Sequence, residues 1–310
     1  MTFAETIQAL FQSYGQLPGI TIECQKELIA IGVENKAARA EVFLQGAQVS
    51  RYQRKGERPI IWLSQQCDYK EGTPLRGGIP ICWPWFGDLD KNPEYLQKQF
   101  TPAFVTTAPA HGFVRNQVWD VKNISIPSDN LTIIELSYII SEGAEPLWPF
   151  ATELVYTIEV GQHLSTSLSV NNISQQAFTF SGALHSYFVV DSINNTFVNG
   201  FDGLSYVDAL NNWEASQQEG DIDFDQEVDR IYQSSPKIIT LIDGQRKIKL
   251  TNGGSKSTVV WNPWKDKAKR LSQFADDDYK TMVCIETANA LDDVITLEPN
   301  ERAWLSVQIE

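Results

Sequence analysis

Two segments far apart in the chain each set one titratable side chain among small and apolar residues. Residues 181–188 read SGALHSYF and centre on His185, and residues 284–289 read CIETAN and centre on Glu286. Both otherwise look like the middle of a β-strand. The chain has only three histidines, and burying an imidazole or a carboxyl disfavours its charged form unless something compensates. Together the two residues would supply a proton donor and a proton acceptor. Taken singly, each has a plainer reading, a hydrogen-bonded core histidine or the acidic half of an ion pair.

Other motifs surround the pair. Residues 75–87 read LRGGIPICWPWFG and carry Arg76; residues 111–115 read HGFVR and carry His111 and Arg115; residues 228–232 read VDRIY and carry Asp229; residues 261–264 read WNPW. An arginine beside a glycine-rich turn often only bonds carbonyls or surface carboxylates, but a guanidinium also matches phosphate oxygens bidentately. Gly77 and Gly78 would let the backbone turn closely beneath a ligand. Trp83, Trp85, Trp261 and Trp264 offer either a platform for a sugar face or core packing, with at least two expected in the core. Asp276, Asp277 and Asp278 read as a solvated acidic loop without the EF-hand pattern.

The ordered set LRGGIPICWPWFG, HGFVR, ALHSYF, VDRIY, WNPW and CIETAN resembles the glucose-6-phosphate 1-epimerase family, the hexose-6-phosphate mutarotases of the galactose mutarotase-like superfamily. The likeness runs from about Glu41 to the C-terminus. It implies a large antiparallel β-sandwich with the site on one concave face. It also implies His185 as general acid, Glu286 as general base, Arg76 and Arg115 as substrate-binding arginines, Asp229 as a sugar-binding aspartate and His111 as a residue lining the site. Some relatives have Gln just before the His-Gly pair where this chain has Ala110, so an amide contact to the sugar is absent there.

The chemistry fits these residue types. Interconverting the anomers of a hemiacetal requires a proton to leave the C1 hydroxyl while the ring oxygen receives one; the ring opens, the C1–C2 bond rotates, and the two groups exchange roles to close it. Histidine suits the acid because its ordinary pKa is about 6.5. Glu286 must then be ionised, with nearby cations or hydrogen bonds offsetting its burial. No cofactor or metal is called for, and the expected partner is a small-molecule sugar phosphate. Two alternatives stay open: an epimerase of neutral aldoses, with structural arginines, and a non-catalytic carbohydrate-binding protein, should His185 and Glu286 lie too far apart to address one sugar.

Strands must position these groups. The 310 residues are 42% hydrophobic and 21% charged, ordinary for a globular chain with a sizeable core. The formal charge of −14 and the lack of Lys/Arg-rich runs argue against nucleic acid as a partner. Cys24, Cys67, Cys82 and Cys284 lack metal-ligand spacing and fit reduced thiols. The N-terminus does not read as a signal peptide, and no apolar run nears the roughly 20 residues of a membrane helix. We therefore expect a cytoplasmic monomer.

Helical spacing is confined to the start, where Ile7, Leu10 and Phe11 share a face before Gly15 and Pro18. Residues 1–310 are expected to form one all-β domain, with residues 1–19 as a helical extension. Strands are expected at 41–49, 60–63, 131–140, 152–160, 164–171, 238–242, 247–251, 258–261, 281–286 and 303–309, with a hairpin turn at Gly161-Gln162. The polar stretch 211–226 reads as a solvated excursion or as the edge of a cleft.

Overall fold

The computed structural model describes residues 2–310. The chain begins with a helix, Phe3–Tyr14, whose N-cap Thr2 and Glu5 form a reciprocal capping box. Leu10 is its only buried residue and Phe11 is exposed, so the apolar face expected of Ile7, Leu10 and Phe11 is narrower than the sequence suggests. Gly15 caps it. Everything beyond is dominated by antiparallel sheets, as the short β-branched runs require.

The outer layer is an eight-stranded sheet in the order Thr196–Asn199, Ile239–Asp243, Arg246–Gly253, Arg302–Ile309, Leu164–Asn172, Thr152–Val160, Leu131–Ile140, Asp120–Ser128. Its central strands alternate strictly. Leu154, Tyr156, Ile158 and Val160 are fully buried, while Glu153, Val155, Thr157 and Glu159 face outward. Each fully buried aliphatic or aromatic side chain on this face contributes on the order of 1.5–3 kcal/mol relative to exposure. The hairpin joining Thr152–Val160 to Leu164–Asn172 is present, with the loop extended to His163 because pairing resumes at Val160↔Leu164.

The second eight-stranded sheet packs on that core. Its order is Glu214–Gln217, Ser205–Asp208, Val228–Tyr232, Ser257–Asn262, Met282–Asn289, Gly182–Leu184, Ile81–Cys82, with Tyr187–Val189 also paired to Met282–Asn289. Every residue of Ser257–Asn262 and of Met282–Asn289 is buried. Alternate residues explain this: Val260, Val283, Ile285 and Leu184 join the sandwich core, while Val259, Cys284, Ala288 and Ala183 pack on the opposite face beneath loops. That loop-covered face carries the candidate site.

A four-stranded sheet, Ile20–Gln25, Leu28–Glu34, Ala38–Phe43 and Gln48–Arg54, precedes both. The single strand expected over 41–49 is thus two strands joined by a turn through Gly46, whose left-handed φ of 71° accommodates the reversal. The run 60–63 makes isolated bridges instead of a strand, Ile61 to Phe188 and Leu63 to Gly77. Part of 211–226 is exposed strand, Glu214–Gln217, at the free edge of the site sheet. Trp83 and Trp85 are fully buried, as expected of at least two of the four tryptophans. No helix among the described residues is long and apolar enough to cross a membrane.

Candidate active site

Strand register brings His185 and Glu286 together. Leu184 pairs with Thr287 and Tyr187 pairs with Cys284, so the two intervening residues on each side are matched and His185 falls opposite Glu286. Cross-strand neighbours project to the same face. The ladder opens locally, because the His185 N–H donates to Pro80 O at 3.0 Å while the Ile285 N–H donates to Ser186 O at 3.1 Å. His185 Nε2 lies 3.3 Å from Glu286 Oε1, with the side chains 10% and 2% exposed. Glu286 Oε2 and His185 Nδ1 have no hydrogen-bond partner among the described residues. Both atoms are buried with unmet hydrogen-bonding capacity.

The same register places Asp229. Val259 pairs with Glu286 and Ile231 with Val259, making one row; Trp261 pairs with Cys284 and Asp229 with Trp261, making the next row on the same face. Asp229 therefore looks across two strands toward Glu286. Cys82 and Ala288 flank Ala183 in the row on the other side, and these small side chains leave the floor low.

Loops bring the remaining groups over this floor. The His111 N–H donates to Gly87 O at 2.7 Å, and the Gly87 N–H donates back to His111 Nδ1 at 3.3 Å. Nδ1 is thus an acceptor, and the neutral ring carries its proton on Nε2. The His111 ring meets the His185 ring edge-on, centroids 5.6 Å apart. His111 and Gly112 both have left-handed φ, 63° and 66°, and a Cβ on Gly112 would lie 1.9 Å from Trp83 O. Only glycine fits there. Arg115 Nη2 donates to Ala110 O at 2.7 Å, so Ala110 contributes a carbonyl where an amide side chain is missing, and Arg115 Nε is buried without a partner among the described residues. Arg76 Nε donates to Ser272 O at 3.3 Å.

Two functional candidates escaped the sequence reading. Tyr187 stacks on His185 with centroids 4.8 Å apart and planes 10° apart. Its position two residues after His185 in a strand was the available signal. Lys267, on the short helix Trp264–Ala268, lies 3.0 Å from Glu227 and 3.6 Å from Asp229. Its Nζ also sits 5.8 Å from the centroid of Trp261. Nothing in its polar surroundings marks the fold-back. Gly77 and Gly78 have a packing role of their own. Their φ angles are 112° and 72°, and added Cβ atoms would strike Trp62 O and Val49 O at 2.7 and 2.5 Å, so they allow close approach to the chain's own backbone.

The electrostatics of the pair differ from the sequence expectation of a charged acid beside an ionised base. Burial, then Arg115, then Arg76 hold His185 down to about 3. Burial, then Asp229, push Glu286 well above the usual carboxylate range. Both directions disfavour charge on the two buried side chains. His111 is likewise driven well below its ordinary value by burial, then Arg115 and His185. Burial raises Asp229 to about 6, against the opposing pull of Lys267. No group of three or more metal-ligating side chains is found among the described residues.

A groove of about 1060 Å³ lies over the four-stranded sheet, lined by Glu23, Glu41, Arg51 and Trp62 among others. None of the six residues singled out from the sequence lines it. Its link to the site is Trp62, whose ring stacks on Tyr187 at 5.8 Å.

Proteins of similar sequence and fold are known. A Cenchrus ciliaris protein provisionally named glucose-6-phosphate 1-epimerase is 33% identical over 273 residues, covering 84% of this chain and 78% of the relative. A similarly named Salmonella typhimurium protein is 32% identical, covering 85% and 84%. The crystal structure of a provisionally assigned mutarotase from Salmonella typhimurium superposes with a TM-score of 0.84 at 28% identity, covering 95% of this chain and 94% of that one. A galactose mutarotase-like protein from Lactobacillus casei shares the fold at a TM-score of 0.71 and 17% identity, covering 91% and 99%. The aldose 1-epimerase profile matches residues 30–310, and with that extent of agreement the chain belongs to the aldose 1-epimerase family.

Proposed function

We propose that the protein interconverts the α and β anomers of a hexose 6-phosphate, D-glucose 6-phosphate first among them. The observation that carries this reading is the 3.3 Å contact between His185 and Glu286, with two arginines acting on His185. Arg115 bonds the carbonyl of Ala110, next to His111, whose ring touches His185. Arg76 influences Tyr187, which stacks on His185.

In catalysis Glu286 takes the proton of the C1 hydroxyl and His185 protonates the ring oxygen, opening the ring to the aldehyde. Rotation about C1–C2 turns the other carbonyl face toward the pair, and the reverse transfers close the ring. The polarity of this assignment is informative. The ring oxygen is bonded to C5, which bears C6, so a 6-phosphate must lie toward the acid and away from the base. Both arginines act on His185, which supports that placement of the phosphate. In this reading Asp229 accepts from and the Nε2–H of His111 donates to sugar hydroxyls, above a floor of the small side chains Cys82, Ala183 and Ala288.

Anomerisation of glucose and glucose 6-phosphate, measured side by side, tests the reading. The phosphorylated sugar is expected to be the better substrate. Arg76→Ala or Arg115→Ala should lower kcat/KM for it by about tenfold to a hundredfold relative to the change for glucose, since hydrogen bonds to charged groups are worth roughly 1.5–3 kcal/mol. Equal losses on the two sugars would reassign the arginines to the fold and the activity to neutral aldoses.

A further inference from the structure

Lys267 is not a loose surface lysine. It sits on Trp264–Ala268, in the connection between Ser257–Asn262 and Met282–Asn289. Asn262 closes the base of that connection: its Nδ2 donates to Tyr279 O and to Met282 O, both at 2.9 Å, and its Oδ1 accepts from the Trp264 N–H at 2.9 Å. Ala268, the next residue, is fully buried in a cluster with Trp62, Tyr187, Trp261, Phe274 and Cys284. The short helix is therefore pinned on both sides of Lys267.

Trp261 links its ammonium to the proton-transfer pair. Lys267 Nζ lies 5.8 Å from the indole centroid, and the His185 ring meets the same indole nearly at right angles, centroids 6.1 Å apart. Nζ is 3.0 Å from Glu227 and 3.6 Å from Asp229. It is the nearest cation to the Asp229 carboxylate among the described residues. An ammonium carries three N–H donors, so two carboxylates leave at least one unspent. All three side chains are partly exposed and open to a ligand.

Strand order says which part of a sugar this group meets. It runs from Gly182–Leu184, which leads into His185, through Met282–Asn289 with Glu286 and Ser257–Asn262, to Val228–Tyr232 with Asp229. At about 4.8 Å per strand, the strand of Asp229 lies roughly 10 Å beyond that of Glu286, on the side away from His185. C1 has two ring neighbours, the ring oxygen and C2. With the oxygen at His185 and the C1 hydroxyl at Glu286, C2 is directed toward Asp229 and Lys267. We propose that Lys267 is a specificity-determining residue: its unspent N–H donates to the C2 hydroxyl while the Asp229 carboxylate accepts from it, so that one hydroxyl is read as acceptor and donor together. This inference rests on the hexose-phosphate reading and deepens it, naming what identifies the hexose at the end remote from its phosphate.

The test uses four sugars: glucose, 2-deoxyglucose and the 6-phosphate of each, assayed for anomerisation by the full chain with the enzyme-free rate subtracted. Lys267→Met keeps an unbranched side chain over Trp261 and removes the donor. It should lower kcat/KM by about tenfold to a hundredfold more for each sugar with a 2-hydroxyl than for its 2-deoxy counterpart, phosphorylated or not. Comparing variant with wild type on the same sugar cancels the intrinsic reactivity of the deoxy compounds. Lys267→Arg, which keeps a charged donor, should restore part of the discrimination. Because Lys267→Met leaves two carboxylates without their cation, it is repeated in a Glu227→Gln background, where the selective loss should persist; melting temperatures report the fold of each variant. Equal losses on hydroxylated and deoxy sugars, or none, overturn the proposal and make Lys267 an ion-pair partner only. A loss that follows the phosphate instead of the 2-hydroxyl overturns it in favour of a phosphate contact. Both results leave the hexose-phosphate reading standing. That reading falls separately if the wild type acts on glucose 6-phosphate no faster than on glucose, and the free sugars then decide the role of Lys267.

Discussion

Replacing His185 by Ala or Glu286 by Gln removes a proton-transfer group while taking little from the sandwich core, because both side chains leave the loop-covered face of their strands. Turnover is expected to fall by about 10²–10⁴-fold, with an unchanged circular dichroism spectrum and retained binding of the sugar phosphate. Near-normal turnover in either variant would remove that residue from the chemistry. Asp229 presents a different balance. Its folded-state pKa is raised from 3.8 to about 6, so its stabilising contribution is complete below about 3.8 and is lost as pH rises through about 6. At pH 7.5 the carboxylate is a net cost, and Asp229→Asn should raise the melting temperature there, by the equivalent of about 1–2 kcal/mol after discounting for partial exposure and the Lys267 contact. At pH 4 the gain should vanish, and an equal gain at both pH values would refute the titration argument. His185 and Glu286 were legible in the sequence because a titratable group in an apolar strand is conspicuous. Their protonation was not, because it depends on burial depth and on which charges the fold sets at each end.

Among the elements, the turn holding His111 is tightly constrained, with two consecutive left-handed residues and a reciprocal bond to Gly87. Gly112→Ala would drive a methyl group into the backbone of Trp83 and Pro84. Neither atom belongs to a flexible side chain that can yield. The variant should lose roughly 2 kcal/mol or more of stability and displace His111 and Arg115 together, so KM for the sugar phosphate should rise along with the loss of kcat. A wild-type melting temperature and KM would show that the turn relaxes freely. Long strands with one wet face, such as Thr152–Val160, announced themselves by alternation. The short segments that frame the site did not. Gly182–Leu184, Tyr187–Val189 and Ile81–Cys82 are two or three residues each, buried on both faces, and leave no periodicity to read. The turn inside 41–49 was missed although Gly46 marks it, because Leu44 and Ala47 on either side keep the segment partly apolar.

For the whole molecule, the formal charge of −14 opposes an anionic substrate at a distance even though the contact site is cationic. Raising ionic strength from about 10 to 150 mM with KCl shortens the screening length from roughly 30 to 8 Å. It should increase kcat/KM for glucose 6-phosphate a few-fold and leave glucose unaffected; a decrease would mean that the arginine field reaches beyond the cleft. The sequence conveyed this net charge and the all-β class directly, but not the way the two sheets divide the labour. The proton-transfer pair is pinned by the register of Met282–Asn289, where a one-residue slip would turn Glu286 into the core. Arg76, Arg115, His111 and Lys267 come from connections that lie outside that ladder. Insertions or deletions in the segment 263–281 leave Glu286 where it is, because pairing on either side resets the register. The scaffold therefore separates what must be inherited intact from what is free to drift: descendants of such a chain can exchange one sugar for another by grafting loops, with the strand-borne chemistry passing through the change untouched.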